Sequence, residues 1–323
     1  FIPADKAQVS VYDRGYLLGD GIYEVIPVYA GSAFLLDRHL QRLQNSLDGV
    51  RIENPFSDAQ WTGIINDLIA RNNAGDQSLY LQVTRGVAPR DHIFPIGVAP
   101  SVFLMSNPLH PVADSWKTDG IKAITTADIR WMRCDIKAIT LLANSLMKQL
   151  AQDAGAQEAL LLRDNYLTEG SASNAYVVID GVIFTAPKEE KVLPGITRDL
   201  IIELAAQNDM PLHERAISES ALRNADEIWI SSSTKEVVPV TLLEFPCEYP
   251  VKAMGETHPQ LDNIVVEIVR KHAGDITEGA VTSRQSSGGK YTSITVVIEA
   301  TSKKQLDAIY QELSSHDAVK YVL

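Results

Sequence analysis

The chain has 323 residues, of which 45% are apolar and 22% are charged, and its formal net charge at pH 7 is −12. This length and composition predict a folded α/β (α+β) protein of two or three domains with a sizeable core. The negative charge argues against non-specific binding to nucleic acid, which requires clustered lysine and arginine. Because no run of eighteen apolar residues and no signal-like leader is present, we expect neither a membrane span nor a signal peptide.

Two cysteines, Cys134 and Cys247, are present. They are too few for a disulfide framework, and their spacing fits no metal site. We therefore expect plain thiols, a cytoplasmic location and no bound metal. Because the sequence starts at Phe1, we also expect that residues ahead of it have been lost.

The first third of the chain predicts a small α/β domain, residues 1–112. The strand at 22–29 alternates, which places Tyr23 and Val25 opposite Glu24. The next helix has leucines at helical spacing, with Arg42 beside that stripe. The predicted elements are a glycine-rich turn at 13–21, the strand 22–29, helices from Asp37 to Gly49 and Asp58 to Asn72, a strand from Leu79 to Thr84, and a buried strand from Ser101 to Met105 that Asn107 and Pro108 end.

A loop at 112–120 leads into a second, larger domain, residues 113–241. Its pattern is mixed α and β, and no G-x-G-x-x-G segment follows a strand, so no dinucleotide is expected. The predicted elements are strands Ile121 to Thr125 and Trp131 to Lys137, a helix from Leu141 to Ala154, strands Ala159 to Arg163, Ala175 to Ile179 and Val182 to Thr185, a helix from Arg198 to Asn208, and a strand from Glu227 to Ile230.

Lys137 is the first candidate for chemistry. As part of a strand, it shares one face with Arg133 and Asp135. One interpretation is that this face is solvated. The other is that Lys137 is buried near a cation such as Arg133, which would lower its pKa so that its amine can form a Schiff base.

Two turns could bind an anion. Pro194 to Thr197 opens a helix, so its free amides suit a phosphate, although Thr197 could simply be an N-cap. The serines at 231–233 follow a strand and are either further donors or a polar turn. Glu169 is either an exposed turn residue or the acid that keeps a pyridine nitrogen protonated. Together, lysine, acid and two anion-binding turns are typical of a pyridoxal phosphate site.

Residues 2 to about 241 resemble the fold-type IV pyridoxal-phosphate transferases, the group of D-amino acid aminotransferases, branched-chain aminotransferases and aminodeoxychorismate lyases. The segments that carry this resemblance occur in the family's order. They are 13–15 with 19–25, 39–43, 135–137, 167–171, 194–198 and 231–233.

The resemblance implies roles for individual residues. Lys137 would be the Schiff-base lysine, and Glu169 would hold the pyridine nitrogen. The other residues expected to bind the cofactor are Arg42, Leu193, Ile196, Thr197, Ser232, Ser233 and Ser171.

The residues that would bind the substrate carboxylate indicate the subgroup within this family. In D-amino acid aminotransferases an Arg-x-His pair reaches across a homodimer and, together with a tyrosine, binds the substrate carboxylate. Arg90, His92 and Tyr23 match these positions. Branched-chain enzymes typically read Phe-Glu-Gly-Ile-Arg where this chain reads Tyr-Glu-Val-Ile-Pro at 23–27. The resemblance thus favours D-alanine and 2-oxoglutarate giving pyruvate and D-glutamate. The alternatives are a branched-chain or aromatic L-aminotransferase, an aminodeoxychorismate lyase, and a non-catalytic scaffold.

Residues 242–323 predict a third, ferredoxin-like domain of order βαββαβ. Its elements are a strand at 248–254, a helix at 261–272, two strands flanking a tip at 285–290, a helix from Ser302 to Leu313 and a last strand from Val319 to Leu323. This part resembles the YbeD-like family, starting near Leu243, and is expected to be a regulatory module or a passive or dimerising appendage.

Fold-type IV enzymes usually carry a further strand and a closing helix after 236–240, and here the third domain takes their place. The chain is therefore expected to be a fusion without that cap, an engineered join, or a sequence lacking segments.

Overall fold

The computed structural model describes residues 1–72, 75–244, 247–277, 279–286, 288–300 and 303–322. Their strands form three sheets of four, nine and four strands. Among the described residues, no helix combines the length and apolar character needed to cross a membrane.

The first sheet and its helices comprise α1 (Arg14–Leu18), β1 (Gly21–Tyr29), β2 (Ser32–Ala33), α2 (Leu36–Val50), α3 (Asp58–Asn72), β3 (Gln77–Thr84) and β4 (Ser101–Pro108). The sheet has the order β2-β1-β3-β4 and is antiparallel throughout. The period of two in β1 buries Ile22 and Ile26, and the predicted leucine stripe of α2 packs on them through Leu40, Leu43 and Leu47.

Two predictions for this region are wrong. Strand β4 is half-exposed and continues to Pro108. It lies at the edge of the sheet, where a proline can be accommodated because its missing N–H faces no partner strand. The predicted boundary loop at 112–120 contains a short helix, α4 (Asp114–Thr118).

The second sheet and its helices comprise β5 (Ile121–Ala127), α5 (Leu142–Asp153), β6 (Glu158–Arg163), β7 (Tyr166–Gly170), β8 (Asn174–Ile179), β9 (Val182–Thr185), α6 (Ile196–Gln207), β10 (Leu212–Glu214), β11 (Ile217–Ser218), α7 (Glu219–Arg223), β12 (Glu227–Ser232) and β13 (Glu236–Glu244). The sheet has the order β10-β9-β8-β12-β13-β5-β6-β7-β11. Its core contains Ala123, Leu160, Val177 and Ile230.

The predicted strand at 131–137 is wrong. The Ile136 amide donates to the carbonyl oxygen of Arg133, which closes a turn, and the Asp135 amide donates to Glu190. Among the described residues, this segment pairs with a strand only where it ends, through an isolated bridge between Ala138 and Ile22 of β1. In spite of its alternating pattern, the segment 131–137 therefore belongs to neither sheet. It crosses between the two domains and contacts both.

The last part has the predicted order: β14 (Cys247–Glu256), α8 (Leu261–Ala273), β15 (Val281–Gln285), β16 (Tyr291–Ala300), α9 (Lys303–Ser315) and β17 (Tyr321–Val322). The sheet order β15-β16-β14-β17 is ferredoxin-like, as expected. Phe245, Pro246, Ser302 and Leu323, which the sequence predictions include, lie outside the described residues. The last strand is predicted to begin at Val319 but begins at Tyr321, so Val319 and Lys320 precede it. The ferredoxin-like part has a separate core, which includes Val251, Val265, Ile294 and Leu313.

Candidate active site

A cavity of about 1200 Å³ lies between the first and second sheets. The crossing segment 131–137 forms part of its wall. Of the residues predicted to act, those lining the cavity are Tyr23, Arg42, His92, Lys137, Glu169, Ser171, Leu193, Ile196, Thr197, Ser232 and Ser233. Arg90 is exposed and does not line it.

Lys137 is fixed at its backbone and aimed at an aromatic ring. Its carbonyl oxygen accepts the Tyr23 amide at 2.9 Å, and its amide donates to the Ser46 hydroxyl at 3.2 Å. Its Nζ lies 4.2 Å from the centre of the Tyr23 ring. Burial, and then the charge of Arg42, lower the pKa of Lys137 from 10.5 to about 8. A substantial fraction of the amine is thus neutral in mildly alkaline solution.

Arg42, and not Arg133, is the cation that lowers the pKa of Lys137. Arg133 instead pairs with Asp135 at 2.9 Å, and both side chains are partly exposed. The expectation that Arg133 and Lys137 act together is therefore wrong. It failed because a turn, unlike a strand, does not keep alternate residues on one face.

A buried ion pair holds Arg42 in the cavity wall. Its Nε and Nη2 donate to the two carboxylate oxygens of Glu24, each at 2.7 Å, and its Nη1 donates to the Pro194 carbonyl at 3.1 Å. His39 contacts the same carboxylate at 2.8 Å. Burial opposes the charge of Glu24, but Arg42 and His39 outweigh it and hold its pKa at about 2. The guanidinium is therefore oriented before any ligand binds.

Glu169 is buried and contacts three groups. Arg130 Nη1 donates to its Oε1, and the Asn174 side chain and the Leu193 amide each donate to its Oε2 at 3.1 Å. Burial raises the pKa of Glu169, while Arg130 and the Leu193 amide act in the opposite direction. Arg130 is itself held by both oxygens of Asp128 at 2.9 Å.

The N-terminus of α6 opens onto the cavity. Its N-cap is Gly195, not Thr197, so the N-cap interpretation of Thr197 is wrong. A Cβ on Gly195 would lie 1.9 Å from the Asn174 side-chain oxygen, which explains why this position requires glycine. Within the described part of the chain, the Thr197 hydroxyl has no hydrogen-bond partner and can reach a ligand.

The serines differ in their freedom to bind. The Ser171 hydroxyl donates to the fully buried Glu158, and that of Ser232 accepts the Lys235 amide at 3.2 Å. The Ser233 hydroxyl has no partner among the residues that the structure describes. Ser231 also lines the cavity, but its hydroxyl is buried and forms a hydrogen bond with that of Tyr176 at 2.9 Å.

Tyr23 and His92 lie on the cavity wall, and Tyr23 stacks on Tyr80 with ring centres 5.7 Å apart. Burial raises the pKa of Tyr23 to about 12, so its hydroxyl remains a hydrogen-bond donor at neutral pH.

Sequence reasoning missed Glu24, Arg130 and Asn174. The alternation of the strand predicts only that Glu24 lies opposite Tyr23, although a charged residue in an apolar strand also indicates a buried partner. Both Arg130 and Asn174 contact Glu169, from which they are separated in the sequence by 39 and 5 positions, respectively. No local pattern predicts the first of these contacts.

Comparison with known proteins agrees with this geometry. Residues 21–243 match the family described as Amino-transferase class IV, and residues 240–323 match a protein family of unknown function, DUF493. The second match lies where the YbeD-like resemblance was expected. A D-alanine aminotransferase of Bacillus licheniformis is 44% identical over 239 residues, which cover 74% of this chain and 84% of that protein.

Solved structures match the same part of the chain. The branched-chain amino acid aminotransferase of Escherichia coli is 27% identical, has a TM-score of 0.71 and covers 75% of this chain and 83% of its own. A second branched-chain amino acid aminotransferase, solved with pyridoxamine 5'-phosphate, is 26% identical, with the same TM-score and coverage. Class IV aminotransferases depend on pyridoxal phosphate, the cofactor expected from the sequence. The family match, the relatives and the fold together show that this chain belongs to the class IV aminotransferases.

Proposed function

We propose that the chain transfers the amino group of D-alanine to 2-oxoglutarate, giving pyruvate and D-glutamate. The observation that carries the proposal is the placement of Lys137, with a pKa of about 8, against Tyr23 in the cavity that also contains Glu169. The choice of D-alanine is supported by the relative from Bacillus licheniformis and by the match of Tyr23, Arg90 and His92 to the D-specific pattern.

The cavity fits pyridoxal phosphate. The α6 N-terminus, with Ile196, Thr197 and Ser233, would hold the phosphate, joined by Arg42. A guanidinium has five N–H groups, and the described contacts use three of those on Arg42. Glu169 would hold the ring nitrogen, and Leu193 would support the ring. When bound, the cofactor supplies a carbon that takes up the amino group and a ring that withdraws electrons from the substrate Cα.

In this proposal Lys137 acts twice. Its neutral amine would hold the cofactor covalently, and the lowered pKa makes that neutral form available. With the substrate in place, the same amine would take the proton from the substrate Cα as a general base and hold it for return as a general acid. Tyr23 lies close enough to limit the positions that the amine can reach.

Tyr23, Arg90 and His92 would bind the substrate carboxylate. A guanidinium matches a carboxylate through two parallel hydrogen bonds. Because Arg90 is exposed and does not line the cavity of its own chain, we propose that it serves the site of a second copy in a homodimer. Leu142, Leu146 and Leu150 support this assembly, since they form an exposed apolar stripe along α5.

We also propose that the domains divide at 112/113 and 241/242, and that the enzyme acts in the cytoplasm, where its buried Cys134 would remain a free thiol. The third domain has its own core and contains none of the proposed site residues. It would act as a regulatory module or as an appendage.

A substrate panel tests the proposal. The purified chain is loaded with pyridoxal phosphate, and its absorbance is recorded after D-alanine, L-alanine or L-leucine is added. D-alanine alone should convert the spectrum to that of the pyridoxamine form. Conversion by L-leucine would favour a branched-chain enzyme, the kind to which the two solved structures belong. If no amino acid converts the spectrum, the catalytic proposal fails.

A further inference from the structure

A buried cluster of two arginines and one aspartate lies at the wall of the cavity, in the first domain. Arg14 Nε and Arg85 Nε donate to one oxygen of Asp20 at 2.7 and 2.8 Å, and Arg85 Nη2 donates to the other at 3.0 Å. The Arg14 side chain is only 2% exposed. Burying two guanidinium groups is costly unless their hydrogen bonds are satisfied, so these contacts are specific. We call Arg14, Asp20 and Arg85 the Asp20 cluster.

The Asp20 cluster holds the segment that carries Arg90 and His92. Arg14 Nη1 donates to the carbonyl oxygen of Asp91 at 2.5 Å and lies 3.4 Å from that of Ile93, and these carbonyls flank His92. The segment 90–93 is otherwise exposed and belongs to no helix or strand.

Arg85 supports this segment from a second direction, through Phe94, the residue that follows it. The central carbon of its guanidinium lies 3.5 Å from the centre of the Phe94 ring. Arg85 is anchored in turn by the carbonyl oxygens of Val50 and Arg51, at the end of α2. The segment is thus attached to a helix that packs in the core of the first domain.

The same cluster is connected to Tyr23. Asp20 immediately precedes Gly21, the first residue of β1, and Tyr23 follows two residues later. The Asp20 carbonyl accepts the Arg85 amide at 3.1 Å. One carboxylate therefore joins the strand that carries Tyr23 to the segment that carries Arg90 and His92.

We propose that Arg14 and Asp20 are positioning residues that set substrate affinity by fixing the Arg90–His92 segment. The inference rests on the proposed function, in which Arg90 and His92 hold the substrate carboxylate. An exposed segment that must be ordered on binding lowers affinity, and a segment that is already fixed avoids this loss. Because the segment does not touch the reacting atoms, the effect belongs in KM and not in kcat.

The test uses the cofactor-loaded enzyme and the variants R14K, D20N, R90A and R14K/R90A. One lysine ammonium cannot span Asp20 and the Asp91 carbonyl as the guanidinium does. R14K should raise KM for D-alanine about tenfold, the scale of one lost charged hydrogen bond, with kcat and the cofactor absorbance unchanged. D20N, which preserves the size of the side chain, should act in the same direction. R223K removes an equivalent arginine contact on α7 and should leave KM unchanged.

The double variant separates positioning from general damage. If Arg14 acts through the segment, R14K should raise KM by a smaller factor in R90A than in the wild type, because only His92 of the segment then remains to bind the carboxylate. Wild-type KM in both R14K and D20N, or effects that multiply in R14K/R90A, would overturn the inference while the proposed function stands. Wild-type KM in R90A would overturn the carboxylate role of Arg90 and this inference with it.

Discussion

Arg42 and Glu24 form a two-pronged ion pair inside the first domain, with both hydrogen bonds at 2.7 Å. Arg42 lies on α2 and Glu24 on β1, so the pair fixes the helix against the strand that carries Tyr23. Because Arg42 also donates to the Pro194 carbonyl, it connects the first domain to the turn that opens α6. A residue expected from the sequence to bind phosphate therefore also contributes to the interface between two domains.

Replacing Glu24 with glutamine should destabilise the protein. The substitution leaves Arg42 buried without its counter-charge, which costs roughly 3–5 kcal/mol. Urea denaturation at pH 7, followed by circular dichroism, measures the loss. E203Q, which weakens the exposed pair with Arg38, is the matched control and should cost at most about 1 kcal/mol. Equal losses in the two variants would contradict this account.

Glu24 also predicts a pH dependence of stability. Its pKa is about 2 in the folded protein against an ordinary 4.5, so its stabilisation is complete above pH 4.5 and is lost as pH falls towards 2. E24Q lacks this titration. The difference in unfolding free energy between wild type and E24Q should therefore shrink between pH 4.5 and 2, and a constant difference would show that Glu24 is not charged when folded.

The attachment of pyridoxal phosphate to the cofactor-free protein should depend on the neutral form of Lys137. Because the pKa of Lys137 is about 8, the attachment rate should rise about tenfold per pH unit well below pH 8 and level off above it. The appearance of the absorbance band after mixing gives this rate. A lysine of ordinary pKa, 10.5, would give a rate still rising at pH 10, which would contradict the effect of burial.

Arg130 should favour the ionised form of Glu169. Burial raises the pKa of Glu169 and Arg130 opposes this, so R130M should raise that pKa further and weaken the hold of the carboxylate on a protonated ring nitrogen. We expect kcat to fall at least about tenfold, the equivalent of one lost charged hydrogen bond. R163M is the matched control, because Arg163 contacts Asp128 but not Glu169. A similar fall of kcat in both variants would show that the lost contact to Asp128, and not the lost contact to Glu169, lowers kcat.

The third domain should fold alone. Its buried apolar side chains come from β14, α8, β16 and α9, with Val319 ahead of β17, so the core is formed within residues 251–319. The fragment 242–323 should melt cooperatively, and V296D, a charge in that core, should abolish the transition. A non-cooperative melt of the unchanged fragment would show that the aminotransferase part completes its core.

The sequence predicts well where periodicity is strong. Helix α3 has the predicted bounds, and α2 and the ferredoxin-like order follow from regular apolar spacing. It fails where tertiary contacts decide the local structure. Residues 131–137 alternate like a strand but form a turn, held by bonds to Glu190 and to β1 that lie far from them in sequence. Glu169 looks like a turn residue, yet β7 contains it, between β6 and β11 in the sheet.

The sequence also indicates which residues surround the cavity better than how they are held. Eleven of the twelve candidate site residues line one cavity, whereas the partners of Arg42 and Glu169 were not foreseen. Contacts across many residues depend on the packed fold, and no local motif encodes them.

The most direct test identifies the lysine that bears the cofactor. The loaded enzyme is reduced with borohydride, digested and analysed by mass spectrometry. Lys148 and Lys235 are the internal controls, because Lys148 lines the cavity and burial lowers the pKa of Lys235. We predict the reduced cofactor on the peptide containing Lys137, and no modified peptide in K137A. Modification of Lys148 or Lys235 in the wild type, or an unmodified Lys137, would contradict the account.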